Sequence, residues 1–516
     1  MKTARILKIK KTPDTPIVAL DALMREFCAS RRYAFNRLLE GFTPNELNKA
    51  IPAMFKLNKR YAEDATMLAK AIISSQKELL PYQLEGVQGK ISKTEQKLSD
   101  YESGRKTPQK VDLETCLKGL GRRLEKLRAR EAYLTDCMEK GTIPKVIFGG
   151  RKNFYARMNG KLNSSEWKDI RSNELYSRGD KSKSGNLNIR IFYEDGRFFL
   201  EIADTIGKDA KAKHSPRIRE ELVIPDKFFE EIVDFVVPDK GYDMKAKKHV
   251  DVYKPYTVQI LRKNGEYFVT LIMDEDVPGS EMEYGAQITS DLVAGIDVNI
   301  DRIAVSILSK NGNFRKSKVF YCHEMEYVSS NRRDNVAGET AKAVIDYLLS
   351  ENVGAVVLED IKIKQDHDTD NKFNRLTHSF AKTKIQNCLI RRALRNGFRV
   401  KKVNPAYTSV IGRFKYSKLY GLSVHEAASF AIGRRGLGFA EKVPRELIFA
   451  LKGGVKKHLL KLIRSKEETK LSKERVRYIR KLIKTIDAFK EQHSWSVWNV
   501  VHKTLRYMDY EYTINF

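Results

Sequence analysis

The sequence predicts a multidomain α+β protein: a small β-barrel interrupted by a helical lobe, followed by a mixed sheet with helices on its faces. Three observations predict it. Helical and heptad periodicity fills residues 20 to 185, strand alternation with Gly-containing turns begins near 186, and single apolar strands alternate with helices beyond about 320.

The N-terminal segment 1–19 holds one strand-like run, "ARILKIKK", which could join the later barrel strands and make the helices between them an insertion. Residues 20–185 form the helical lobe. Within it a coiled-coil hairpin is expected over 84–140, where Leu84, Val87, Ile91 and Leu98 and then Leu113, Leu117, Leu120, Leu124, Leu127 and Leu134 recur at heptad spacing around "ESGRKTPQK". Lys93, Lys97, Arg122, Arg123, Lys126 and Arg128 flank that seam, as an ordinary solvated surface or as a basic arm along a duplex. Residues 186–290 form the barrel, since "LNIRIFY-EDG-RFFLEIA" and "YTVQILR-KNG-EYFVTLIMD" each read as two alternating strands about a tight turn.

Residues 291–440 form the mixed sheet. "VAGIDVNIDRIAVSIL" leads into a hairpin through "KNG"; a helix, the strand "VGAVVLED", a basic helix, the strand "FRVKKVNP" and a helix opening at "SVHEAASFAIGRR" follow. Three antiparallel strands followed by βα units describe a ribonuclease H-like sheet. Residues 441–516 are a basic helical tail.

Composition narrows the function. A chain of 516 residues is too long for one core, and 41% hydrophobic residues supply several. The 96 Lys+Arg against 66 Asp+Glu leave +30, which favours a polyanionic partner, nucleic acid before a membrane surface. No stretch approaches the roughly 20 apolar residues of a membrane helix, and "MKTARILKIKK" lacks the core of a secretory signal, so no membrane partner and a cytoplasmic location are expected. Cys28, Cys116, Cys137, Cys322 and Cys388 are too scattered for a disulfide framework or paired zinc ligands.

Acidic residues in apolar strands carry the chemistry. The alternation reverses after Asp301, so a turn lies near Asn299–Asp301 and Asp297 is a strand residue. A carboxylate on a sheet interior is costly unless it is paired or binds a cation. Glu359 ends "GAVVLED", and if the first and fourth strands are parallel neighbours it faces Asp297. Two such carboxylates suit Mg²⁺, and two-metal phosphodiester hydrolysis uses this arrangement. "DHDTDNK" at 366–372 imitates a calcium loop but lacks its turn Gly and closing Glu, and reads as a polar loop.

"GIDVNIDRIAVSIL", "VVLEDI" and "KIQNCLIRRALRNGFRVKKVNPAYTS" resemble the RuvC motifs of the transposon-encoded TnpB nucleases and their relatives, the type V CRISPR effectors, over about 291–439. The resemblance implies a RuvC nuclease domain, a wedge identity for the barrel and a recognition lobe for the helices. It implies a guide RNA and a matching target DNA as partners, and Asp297 and Glu359 as catalytic metal ligands. The third motif departs from the pattern: no cysteine pair follows "NPAYTS", so no zinc is expected, and Val424 stands where the family has Asp. Glu426 is the candidate third ligand, although "SVHE" is also a capping box; His425 is a further candidate ligand or proton shuttle.

Arg391, Arg392, Arg395, Lys401, Lys402, Arg434 and Arg435 are the expected nucleic-acid contacts, holding a backbone in register. Tyr407, Tyr416 and Tyr420 are core residues or base-stacking platforms. The expected function is RNA-guided, Mg²⁺-dependent DNA cleavage, with two ions, next to a short adjacent motif. The alternatives are guided DNA binding without cleavage and a RuvC-like nuclease without guide; monomer or homodimer is left open.

Overall fold

The structure is a computed structural model and describes residues 1–10, 17–109, 111–181, 184–209, 214–243, 248–361, 381–464, 473–490 and 493–512. Two compact units divide at 276/277. None of its described helices is long and apolar enough to cross a membrane.

The first unit is built on a seven-stranded antiparallel sheet. Its strands are β1 (Lys2–Ile9), β2 (Glu174–Ser177), β3 (Ile189–Glu194), β4 (Arg197–Ala203), β5 (Arg217–Val223), β6 (Tyr256–Lys263) and β7 (Glu266–Asp274), in the order β2-β6-β7-β1-β5-β4-β3. Asp195–Gly196 and Asn264–Gly265 take positive φ at both central positions of their hairpins, the backbone whose twist matches the flanking strands. β1 pairs along its length with β7 and at its end with β5, so the segment between β1 and the later strands is an insertion into one sheet. The sheet curls enough for Tyr256 of β6 to accept a 2.8 Å hydrogen bond at its hydroxyl from the Ile191 amide of β3.

Alternate residues of these strands, among them Leu7, Ile9, Val258, Val269 and Leu200, share one core with Leu23 and Phe27 of α1 (Val18–Leu39). α2 (Pro44–Phe55) is closed by a capping box between Thr43 and Glu46. Helix α3 (Lys59–Glu102) runs unbroken through Pro81 and returns as α4 (Leu113–Glu139). Two helices alone bury little: Ile91 and Leu134 are buried, whereas Leu113 at the tip is exposed. Short helices α5 (Arg151–Met158), α6 (Ser164–Ile170) and α7 (Phe229–Val236) complete the unit.

The second unit holds a six-stranded mixed sheet: β8 (Ser280–Met282), β9 (Leu292–Val298), β10 (Arg302–Ser309), β11 (Phe314–Tyr321), β12 (Ala355–Glu359) and β13 (Arg399–Val403), ordered β8-β13-β12-β9-β10-β11. β9, β10 and β11 are antiparallel, while β12 and β13 run parallel to β9, which is the ribonuclease H-like strand order. The unit starts before residue 291 because β8 pairs in parallel with β13. Helices α8 (Ser330–Ser350) and α9 (Ala381–Arg395) make the crossovers. α10 (Val424–Gly436) lies on the other face, and α11 (Lys456–Arg464), α12 (Lys473–Ala488) and α13 (Ser494–Tyr512) share a core with its Ala427, Phe430 and Ala431.

Glycines let α10 lie directly on the sheet. A Cβ at Gly295 of β9 would sit 2.0 Å from the Ser429 carbonyl oxygen, and one at Gly436 would strike Val357 of β12 at 2.4 Å. The odd-numbered residues of β9 and β12 therefore face α10.

Candidate metal and nucleic-acid site

The register of β9 and β12 pairs Gly295 with Val357 and Ile296 with Leu358, so the next position sets Asp297 beside Glu359. Both are odd-numbered and belong to the face covered by α10. They stand at the carboxyl ends of adjoining parallel strands, where open α/β sheets gather ligands. Parity delivers both carboxylates to one side because parallel partners in register point the same way.

Helix α10 runs antiparallel to β9. His425, Ser429 and Gly433 lie at four-residue spacing on one helix face; Ser429 and Gly433 meet Gly295, and His425 meets Asp297. Asp297 is 7% exposed. Its Oδ2 accepts from Asn299 Nδ2 at 2.8 Å, and His425 Nδ1 lies 3.0 Å from the same oxygen. Asn299 Nδ2 is also 3.0 Å from His425 Nδ1, so the three groups form a tight triangle.

Glu359 accepts a hydrogen bond from the Thr408 hydroxyl, and its backbone carbonyl accepts from the Gln386 side chain. Thr408 follows Tyr407, whose φ of +64° marks a strained turn into the short helix Thr408–Ile411. Burial holds the Arg435 guanidinium below its ordinary value, an effect opposed by the charges of Glu359 and Glu441.

Glu426 points elsewhere. One of its carboxylate oxygens accepts from the Ser423 amide at 3.1 Å and the Ser423 hydroxyl at 2.6 Å; the other accepts from Ser317 of β11 at 2.7 Å. Burial pushes its carboxyl up, but hydrogen bonds from Ser423 and Ser317 outweigh it and hold the group below its ordinary value. One residue along a helix is about 100° of rotation, which turns Glu426 toward β11 while His425 reaches β9. Among the described residues no group of three or more His, Cys, Asp or Glu side chains is assembled to hold a metal. The Asp297–Glu359 pair nevertheless fits Mg²⁺, which is commonly held by one or two carboxylates, with water and phosphate completing its shell.

The basic candidates separate by burial. Lys401 is 6% exposed and donates at 2.7 Å to both the Ala286 and Gly436 carbonyls; burial holds its ammonium below the usual value. Gly436 closes α10, whose C-terminal dipole favours a cation. Lys401 thus lies inside, not on the phosphate-facing surface expected from the sequence. Arg434 is likewise engaged: it donates to Glu441 at 2.7 Å and to the Gly312 carbonyl at 2.6 Å. Arg435 donates to the Asn404 carbonyl and lies over the Trp495 ring at 5.3 Å. Lys402 is 3.8 Å from Glu281. Arg391 and Arg395 are exposed on α9, and Arg392 is partly so.

Glu441 went unnoticed in the sequence. Its carboxylate is buried and accepts from Lys415 Nζ, the Tyr416 hydroxyl and Arg434 Nε. Burial pushes that carboxyl up, but these three donors hold it below its ordinary value. Tyr416 is thereby a core residue, Tyr420 stacks on Phe314 at 5.1 Å, and Tyr407 lies edge-on to Trp495 at 5.5 Å. The loop 366–372 lies outside the described residues.

Among solved structures, the chain is similar to Thermus thermophilus RuvC, at 15% identity and a TM-score of 0.21 over 28% of this chain and 90% of that one. It is similar to a Cas12f1–sgRNA–target DNA complex at 12% identity and 0.22, covering 84% and 99%. A Cas12i–crRNA–dsDNA complex aligns at 11% and 0.27, covering 79% and 70%. The fold assignment rests on the strand order above, not on these superpositions. Uncharacterized protein SSO2105 of Saccharolobus solfataricus is 23% identical over 283 residues, 52% of this chain and 69% of its own length. Residues 7–271 match the model of the SSO2105 N-terminal domain. That match spans just over half of the sequence, and the protein belongs to the SSO2105 N-terminal domain family.

Proposed function

We propose that this protein is a RuvC-type, RNA-guided DNA endonuclease related to the TnpB nucleases and type V effectors. One observation carries the reading: β9 and β12 run parallel in register through Ile296 and Leu358, and the positions that follow on the two strands are Asp297 and Glu359. The motif resemblance over 291–439 and the charge of +30 support it.

In this reading Asp297 and Glu359 hold Mg²⁺, which when bound neutralises charge on the phosphate being hydrolysed. Asn299 and His425 fix the Asp297 carboxylate, since both contact Oδ2. His425 meets Asp297 through Nδ1, which leaves Nε2 as the ring nitrogen outside that contact. Thr408 orients Glu359 in the same way. Glu426 caps its helix, and His425 is the residue of the third motif that acts beside the pair. Exposed Arg391 and Arg395 contact the nucleic-acid backbone, guide RNA selects the target DNA by pairing, and the curled sheet of the first unit serves as the wedge barrel.

The test is cleavage of matching DNA by the protein purified with its co-purifying RNA, in Mg²⁺. Asp297→Asn and Glu359→Gln should each abolish cutting; cutting that survives both overturns the site assignment. A second reading is guided binding without cleavage, since Val424 stands where the third motif of the resembling family has Asp and Glu426 is engaged by Ser423 and Ser317. Sequence-matched DNA binding with no Mg²⁺-dependent product would select it. A protein that cuts branched or unpaired DNA without any bound RNA would be a guide-independent nuclease.

A further inference from the structure

The first unit contains a cleft of about 460 Å³ whose lining includes Arg32 and Tyr33 of α1, Lys145, Phe154 of α5, Trp167 of α6 and Arg171. Three of its lining residues are cationic and none is acidic. Arg32 donates to the Arg171 carbonyl at 2.5 Å, a neutral partner. Burial and the nearby Arg171 charge together hold the Arg32 guanidinium below its ordinary value. Arg171 lies over the Trp167 ring at 5.3 Å, and its Nε is buried with no hydrogen-bond partner among the described residues. Adjacent Arg31, by contrast, is neutralised by Glu174.

The site is built rather than incidental. Gly149, at φ +93°, runs so close to Trp167 that a Cβ there would lie 2.9 Å from the indole and 3.0 Å from the Arg171 side chain. The Phe154 and Trp167 rings stand 6.3 Å apart and form an aromatic wall beside the cations. Like charges gathered in a half-buried cleft repel one another, so the arrangement is relieved by an anion. An aromatic surface next to that anion position matches a base attached to its phosphate, because every base offers a face for stacking.

We propose that this cleft binds one nucleotide of a single-stranded nucleic acid, its base against Phe154 and Trp167 and its phosphate on Arg32, Arg171 and Lys145. The site goes beyond the proposed nuclease reading and uses none of the nuclease residues. The test is ultraviolet crosslinking of the full chain, in EDTA to prevent cutting, to short single-stranded RNA and DNA probes carrying 5-iodouracil. Mass spectrometry should map the crosslink to the peptide holding Phe154 or Trp167, and the RNA and DNA arms show which strand the cleft accepts. Arg171→Gln and Lys145→Glu should each weaken probe binding about tenfold; Lys145 is exposed, so its reversal tests the site without touching the core. Crosslinks confined to other peptides, unchanged affinity in both variants, or displacement by polyglutamate as readily as by unlabelled oligonucleotide would each overturn the proposal. Crosslinking retained in EDTA, with no cleavage of matching DNA in a parallel assay in Mg²⁺, would overturn only the nuclease reading.

Discussion

Asp297 and Glu441 are equally buried carboxylates in one unit, at 7% exposure each, yet their surroundings are opposite. Glu441 meets a lysine, an arginine and a tyrosine hydroxyl, so its charge is matched within the protein. Asp297 meets an amide and an imidazole, and no lysine or arginine among the described residues contacts it. A buried anion must be paired or bind a cation. The contrast separates an acid matched by a lysine and an arginine from one that meets only an amide and an imidazole.

Four experiments sharpen or break this contrast. Asp297→Ala should lower cleavage on the order of 10³-fold without lowering the melting temperature, since it removes a charge and strands none; a fall in both would mean that Asp297 is structural. Glu441→Gln should cost about 3 kcal/mol in denaturant unfolding, because Arg434 and Lys415 lose their partner. It should also flatten the acid limb: a carboxyl whose folded pKa is depressed stabilises above its unfolded value of about 4.3 and loses that stability as pH falls through the folded pKa. His425→Ala should lower cleavage about 10²-fold, whereas Glu426→Ala should cost about 1 kcal/mol of stability and leave cleavage intact. The reverse ranking would restore Glu426 as the third ligand. Gly295→Ala, which forces a Cβ onto the Ser429 carbonyl, should cost about 2 kcal/mol, read as a lower urea midpoint.

The neighbourhood of Asp297 and Glu359 was readable because period two fixes which residues share a face, and few topologies join three antiparallel strands to βα units. The orientation of α10 was also written in the chain. Ser429, Gly433 and Gly436 are the small residues of a helix pressed on a sheet, and His425 lies on their face while Glu426 does not. The capping box and the acidity of Glu426 mask that signal in the sequence. Lys401 was not readable: its partners are carbonyls at 286 and 436, distant in sequence and carrying no side-chain signature. Glu441 was hidden similarly, since its donors at 415, 416 and 434 converge only once α10 and the preceding turn have packed.

At Gly295, where the backbone of α10 meets the backbone of β9, no side chain intervenes to absorb displacement along the helix axis. The helix works as a ruler whose zero is the contact at Gly295 and whose far mark is the imidazole at Asp297. Bulk added at the zero mark is therefore expressed as misalignment one turn away, and an activity defect would precede unfolding.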